Sequence, residues 1–119
     1  MTRAYRSLEL PIHRAVLNYL RLVLPRAITH HSPQNLGVEG HGIARAVALA
    51  KSMGMISGWP DLITIADGRV MAWEVKAEGG TTSDAQKAVG AALQANGAHW
   101  AVVRSIDDVR DYLTEWGAI

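Results

Sequence analysis

Residues 61–76, DLITIADGRVMAWEVK, constrain the fold of this chain more than any other stretch. Residues 62–66 and 69–76 are rich in β-branched and apolar side chains, and Asp67-Gly68 between them is a strong two-residue turn signal, so the stretch predicts a β-hairpin. Such a turn fixes the register: Ala66 faces Arg69, Ile65 faces Val70, Ile63 faces Ala72 and Asp61 faces Glu74. Two carboxylates are thereby set opposite each other, with Cβ atoms about 5 Å apart. Glu74 and Lys76 are two residues apart on one strand and share a face, which adds an ammonium to the pair. Val70, Ala72, Ile63 and Ile65 lie on that same face, while Met71, Trp73, Val75 and Leu62 make the other face apolar too. That is the pattern of a central strand pair covered on both sides. Facing carboxylates cost stability unless positive charge sits between them. A hard divalent cation such as Mg²⁺, which takes carboxylate oxygens, a backbone carbonyl and waters, suits that place. The competing account is a surface hairpin with polar ends, since a one-residue slip would turn Asp61 to the other face.

The remaining elements follow from periodicity and punctuation. Ser7 can cap a helix running to about Leu24, with Pro11 in or near its first turn, Pro25 stopping it, and Leu8, Ile12, Val16, Leu20 and Val23 as its buried stripe. Residues 27–31 form a weak strand candidate, residues 32–42 a loop, and residues 43–53 a helix ending before Gly54. Ser83 followed by Gln86 is a capping box for the next helix, which Gly97 closes. Residues 98–104 read as a buried strand. Ser105 with Asp108 starts a last helix, with Ile106, Val109, Leu113 and Trp116 facing inward.

Length and composition set outer limits. A chain of 119 residues is expected to form one domain, residues 1–119, with a single core. The absence of cysteine excludes disulfides and thiolate metal sites, and a reducing cytoplasm is the expected setting. No run approaches the roughly 20 apolar residues of a membrane span, and the start has no apolar signal-peptide core. The net charge of +1 conceals an asymmetry: residues 1–60 hold seven Lys or Arg against two Glu, and residues 61–119 hold five against nine acidic residues. A basic half beside an acidic, metal-binding half suits a polyanion held by one part and cut at the other. Basic helices are also often merely solvated.

The order GxPD, hairpin, ExK resembles the PD-(D/E)XK nucleases. The longer run GMISGWPDLITIADGRVMAWEVKAEGGTTSDAQ is similar to the virus-type replication-repair nuclease domain, VRR-NUC, which occurs as single-domain phage and bacterial proteins and as the catalytic domain of the Fanconi-associated nuclease. The resemblance spans nearly the whole chain, from Glu9 through HSPQN near Pro33 to SIDDV at residues 105–109. Gln34-Asn35 stands where many members have Asn-Glu, so no role is assigned to that loop. The resemblance implies an α/β fold, a restriction-endonuclease-like mixed sheet with helices on both faces. It implies a Mg²⁺-dependent endonuclease (Mn²⁺ substituting) acting on branched DNA such as Holliday junctions, and a cytoplasmic homodimer of bacterial or phage origin with no membrane or organic cofactor.

In that frame Asp61, Glu74 and the Val75 carbonyl hold one or two Mg²⁺ ions, and Lys76 orients water or neutralises charge on the phosphorane. Glu9, with His13 one turn later, either joins the site or favours the helix dipole. Gln86 either reaches water or phosphate or serves only its capping box. Expected DNA contacts are Arg14, Arg45, Lys51 and Lys87, with His31 and Ser83. His30, His31 and His41 lack zinc spacing and read as loop residues facing DNA. Glu78 reads as solvated, and Thr81, Thr82 and Ser83 either donate to a phosphate or form a turn. Met53, Met55, Ile56 and Trp59 crowd a Gly-flanked segment and either pair two copies or line the core. Alternatives to the junction enzyme are a less selective metal-dependent DNA nuclease, a non-catalytic nucleic-acid-binding subunit, which usually lacks one of the three motif residues, and another phosphate-processing metalloenzyme, against which the lack of a P-loop counts.

Overall fold

The computed structural model describes residues 3–33 and 42–119; Gln34, Asn35 and His41 lie outside the described residues. Four helices and four strands alternate along the chain: α1 (Arg3–Val23), β1 (Ile28–His31), α2 (Gly42–Ser52), β2 (Leu62–Ala66), β3 (Arg69–Val75), α3 (Asp84–Ala95), β4 (His99–Val103) and α4 (Ile106–Glu115). The hairpin forms in the register that its turn demands, from Leu62 opposite Trp73 to Ala66 opposite Arg69. Asp67 and Gly68 both take positive φ, 49° and 77°, as a primed turn requires. β1 adds antiparallel to β2, and β4 lies parallel to β3, giving the order β1-β2-β3-β4. A parallel neighbour needs a crossover, and α3 supplies it.

Helices cover the two faces of this mixed sheet, as the expected α/β class requires. On one face Val16 and Leu20 of α1 and Val109 and Leu113 of α4 enclose Leu62, Met71, Trp73, Val75, Ala101 and Val103 in a single core cluster. The Trp73 indole N–H is not left unpaired there; it donates to Thr64 Oγ1 at 3.1 Å. Trp116 closes the end of this core, 5.0 Å from Trp73 and stacked at 4.6 Å on His99. On the opposite face α3 packs against β4 so closely that a Cβ at Gly90 would lie 2.4 Å from the Trp100 ring.

Four expectations change. Among the described residues the second face is covered only towards β4: α3 is carried there by the crossover, leaving Ile28, Ile65 and Val70, aligned across β1, β2 and β3, 70%, 49% and 36% exposed. α1 starts at Arg3, so Ser7 is not its cap and Glu9 and Pro11 lie beyond its first turn. Pro11 stands inside the helix, where its ring removes one backbone hydrogen bond. Leu8 is 58% exposed because packing on this helix becomes complete only at Val16, and Ile106, on the first turn of α4, is 38% exposed rather than inward.

Candidate active site

Asp61 stands one residue before β2, where Gly58-Trp59-Pro60 brings the chain onto the sheet. The ladder ends at Leu62, so Asp61 forms no further rung opposite Glu74. Its Oδ2 instead accepts the backbone N–H of Val75 at 2.8 Å, which fixes one carboxylate oxygen on β3. His31 holds the same residue from the other side: its Nδ1–H donates to the Asp61 carbonyl at 2.8 Å, and its ring meets His13 of α1 edge-on at 4.7 Å. Gly58 sets the approach. It has φ +83°, and a Cβ there would lie 2.5 Å from the Ala85 carbonyl carbon, so only glycine lets this loop rest on the first turn of α3.

Glu74 is wholly buried. Burial first, and the neighbouring Asp61 charge second, push its carboxyl up to about 8, with Lys76 acting in the opposite direction. Its Oε1 receives a long contact of 3.5 Å from Gln86 Nε2, and its Oε2 is buried with no hydrogen-bond partner. Lys76 is itself buried, its backbone N–H donating to Val103 at 3.0 Å where the strand continues past β3. Glu9 approaches from α1. Burial raises its carboxyl while Lys76 lowers it, the charge of Asp61 adds to the rise, and the backbone at Ala77 bonds to it; its Oε1 is also buried and unpartnered. Burial also lowers His13, with His31 adding to the effect and Asp61 opposing it.

The fold thus brings Glu9, Asp61, Glu74, Lys76 and Gln86 to one place. The two accounts of Gln86 prove compatible, because an amide has two ends: Oε1 accepts the Ser83 N–H at 2.9 Å in the capping box while Nε2 faces Glu74. The helix-dipole account of Glu9 fails, since α1 has no acidic residue in its first turn. The Ser83 hydroxyl oxygen accepts the Gln86 N–H at 3.1 Å and so acts as the cap. Arg14 is exposed on α1 and its charge reaches His13. Lys87 is exposed beside Gln86 on α3, and Arg45 and Lys51 are exposed on α2, a helix with no buried residue. Glu78 is exposed, as expected.

His30 and His31 are strand residues, not loop residues, because β1 runs to His31 to complete its pairing with Leu62. The hold of His31 on Asp61 and the Gly58 contact are the two features the sequence reading missed. The first had a weak signal in the position of His31 at the end of a strand candidate. The second had a better one in a glycine two residues before Pro60.

Two buried carboxylate oxygens without partners are the observation that bears on a cation. Each such atom costs about 1–3 kcal/mol, more when charged, and a bound cation removes that cost. Among the described residues no group of three or more His, Cys, Asp or Glu side chains makes a metal cage. What the described residues offer a cation is carboxylate oxygens short of a full shell, a kind of site that suits Mg²⁺, which keeps several waters.

No protein-family model and no curated protein matches the chain. A solved structure called a VRR_NUC domain protein does: it superposes with a TM-score of 0.69 at 26% identity, covering 91% of this chain and 86% of that one. The VRR-NUC resemblance carried by the motifs is thus matched in three dimensions over nearly the whole chain.

Proposed function

We propose that this chain is a metal-dependent endonuclease that hydrolyses phosphodiester bonds in DNA at the Asp61, Glu74 and Lys76 site. One observation carries the reading: Glu74, buried beside Asp61 and Lys76, has an oxygen with no partner, an arrangement that costs stability unless a cation uses it. The structural kinship with a VRR_NUC domain protein supports the same class. Mg²⁺, or Mn²⁺ in its place, would be held by Asp61, Glu74 and the Val75 carbonyl. When bound it supplies Lewis-acid polarisation of the phosphate and a lowered pKa for water. The Val75 N–H and His31 keep Asp61 from rotating. Lys76, buried and preorganised, stabilises charge developing on the phosphorane. Gln86 and Glu9 border the carboxylates and orient water or phosphate. Arg14, Lys87, Arg45 and Lys51, with His31, offer the exposed contacts for the strand.

Asp61→Ala, Glu74→Ala and Lys76→Ala should each abolish Mg²⁺-dependent cleavage of plasmid and junction DNA while keeping a folded far-UV circular dichroism spectrum. Wild-type cleavage by Asp61→Ala would place the chemistry elsewhere.

The finer reading is a homodimer that sets two sites across a Holliday junction, since one site cuts both strands only by pairing. Exposed apolar residues at the end of α2 favour it: Leu49, on a helix that buries nothing, and Met53, just past that helix, are 63% and 81% exposed. Light scattering and parallel assays on a four-way junction, a flap and a linear duplex test it. A monomer cutting duplex as fast as junction leaves the less selective DNA nuclease.

A further inference from the structure

The stretch between Lys76 and Gln86 must hold a site residue still at each end, and its middle has little stiffness of its own. Residues 77–82, AEGGTT, carry two successive glycines, the residue type with the widest backbone freedom, and Gly79 uses that freedom at φ +80°. Within the loop the Gly80 N–H closes one turn on the Ala77 carbonyl at 3.0 Å. The firmer attachment comes from outside it. Arg104, the residue after β4, donates from Nη2 to the Gly80 carbonyl at 2.7 Å, a short charge-assisted bond. Gly80 is buried and lies against Lys76, since a Cβ built on it would fall 3.7 Å from the Lys76 Cβ. Arg104 is itself held at the backbone: the Lys76 N–H donates to the carbonyl of the preceding Val103 at 3.0 Å, and the Arg104 N–H donates to Asp108 Oδ2 at 2.8 Å. Its guanidinium is directed at a neutral carbonyl, for among the described residues the one side-chain ion pair joins Arg110 to Asp107. The charges that reach the Glu74 carboxyl are those of Asp61 and Lys76, so Arg104 works on the loop and not on the carboxylate.

We infer that Arg104 is a positioning residue for the site: by pinning the Gly80 carbonyl it fixes the loop that sets Lys76 at one end and Gln86 at the other. The inference rests on the nuclease reading and deepens it. Ser83 carries the effect forward, because its N–H donates to Gln86 Oε1 at 2.9 Å and so decides where the other end of that amide meets Glu74, at 3.5 Å. Without the arginine the two glycines let Ser83 drift, and a misplacement of about 1 Å is worth up to about a hundredfold in rate. The loss falls on the chemical step and not on the hold on DNA, since Arg104 acts through the loop.

The test is steady-state cleavage in Mg²⁺, on the labelled DNA that wild type cuts fastest, by wild type, Arg104→Met and Arg104→Lys, together with hydrogen–deuterium exchange of the same proteins free of DNA and metal. Methionine keeps the stem and removes the donors. It should lower kcat by roughly tenfold to a hundredfold with KM unchanged within about twofold, and exchange should quicken in residues 77–86 alone. Lysine returns one donor and should regain most of the lost kcat. If the methionine variant folds poorly, Arg104→Gln, whose shorter side chain falls short of Gly80, makes the same comparison. Wild-type kcat without the arginine overturns the positioning role and leaves the nuclease standing. A KM that rises at constant kcat overturns it too, making Arg104 a contact for DNA phosphate, as does exchange that quickens evenly along the chain, the sign of a general staple of the fold. If wild type cuts no DNA, the nuclease reading falls and this role falls with it.

Discussion

Glu74 ties the chemistry to stability through one proton. Its carboxyl titrates at about 8 in the folded chain against 4.5 as a free side chain, so between those values the folded state holds a proton that the unfolded state has released. In metal-free buffer stability should therefore fall as pH rises from about 4.5 to about 8, by on the order of a few kcal/mol, and then level off. Glu74→Gln keeps the shape and carries no charge. It should flatten this slope and, in EDTA at pH 8, melt above wild type. Because a cation must displace the proton, Mg²⁺ should raise the wild-type melting temperature more at pH 8 than at pH 6, and the variant's hardly at all. Thermal melts of both proteins across that range decide it, and equal shifts would point to another metal site. The trio itself was legible in the sequence because a two-residue turn leaves one register. The 2.8 Å bond from His31 to the Asp61 carbonyl was not, because it joins residues 30 apart and depends on how far β1 pairs.

At the scale of elements, the hairpin, the capped α3 and the core strand β4 were all readable, since each rests on local signals: turn dipeptides, a capping box, a short apolar run. What failed was long-range. Whether Ile65 and Val70 are covered depends on where the crossover helix lands, and where α1 begins depends on packing rather than on a serine that could cap it. The docking of the GWPD loop on α3 is of the same kind, and it can be broken at one atom. Gly58→Ala demands a left-handed backbone of a residue with a Cβ and forces that Cβ into the Ala85 backbone at 2.5 Å. It should cost about 2 kcal/mol or more and should reduce cleavage further than lost stability explains, because Asp61 and Gln86 separate. Ser83→Ala removes only a cap, worth about 1 kcal/mol, and should leave more activity. Chemical denaturation alongside cleavage rates distinguishes the two, and equal activity losses at equal stability would deny the loop any positioning role.

For the molecule as a whole, Asp61, Glu74, Lys76 and Gln86 all fall within residues 61–86, and Glu9 alone comes from a distant element. The hairpin's parallel partner β4 must wait for α3, whereas the hairpin closes across two residues, an event on the microsecond scale. The acidic pair is thus expected to come together early, while the loop that completes the sheet is still open, so that its repulsion is felt on the way up the folding barrier. A divalent cation should then act as a folding accelerant and not only as a stabiliser: stopped-flow refolding followed by tryptophan fluorescence should quicken with Mg²⁺ in wild type and not in Glu74→Gln. If Mg²⁺ slows unfolding alone, the carboxylates meet only after the barrier is crossed. In the first case, the residues proposed to cut DNA also set the pace at which this chain becomes a protein.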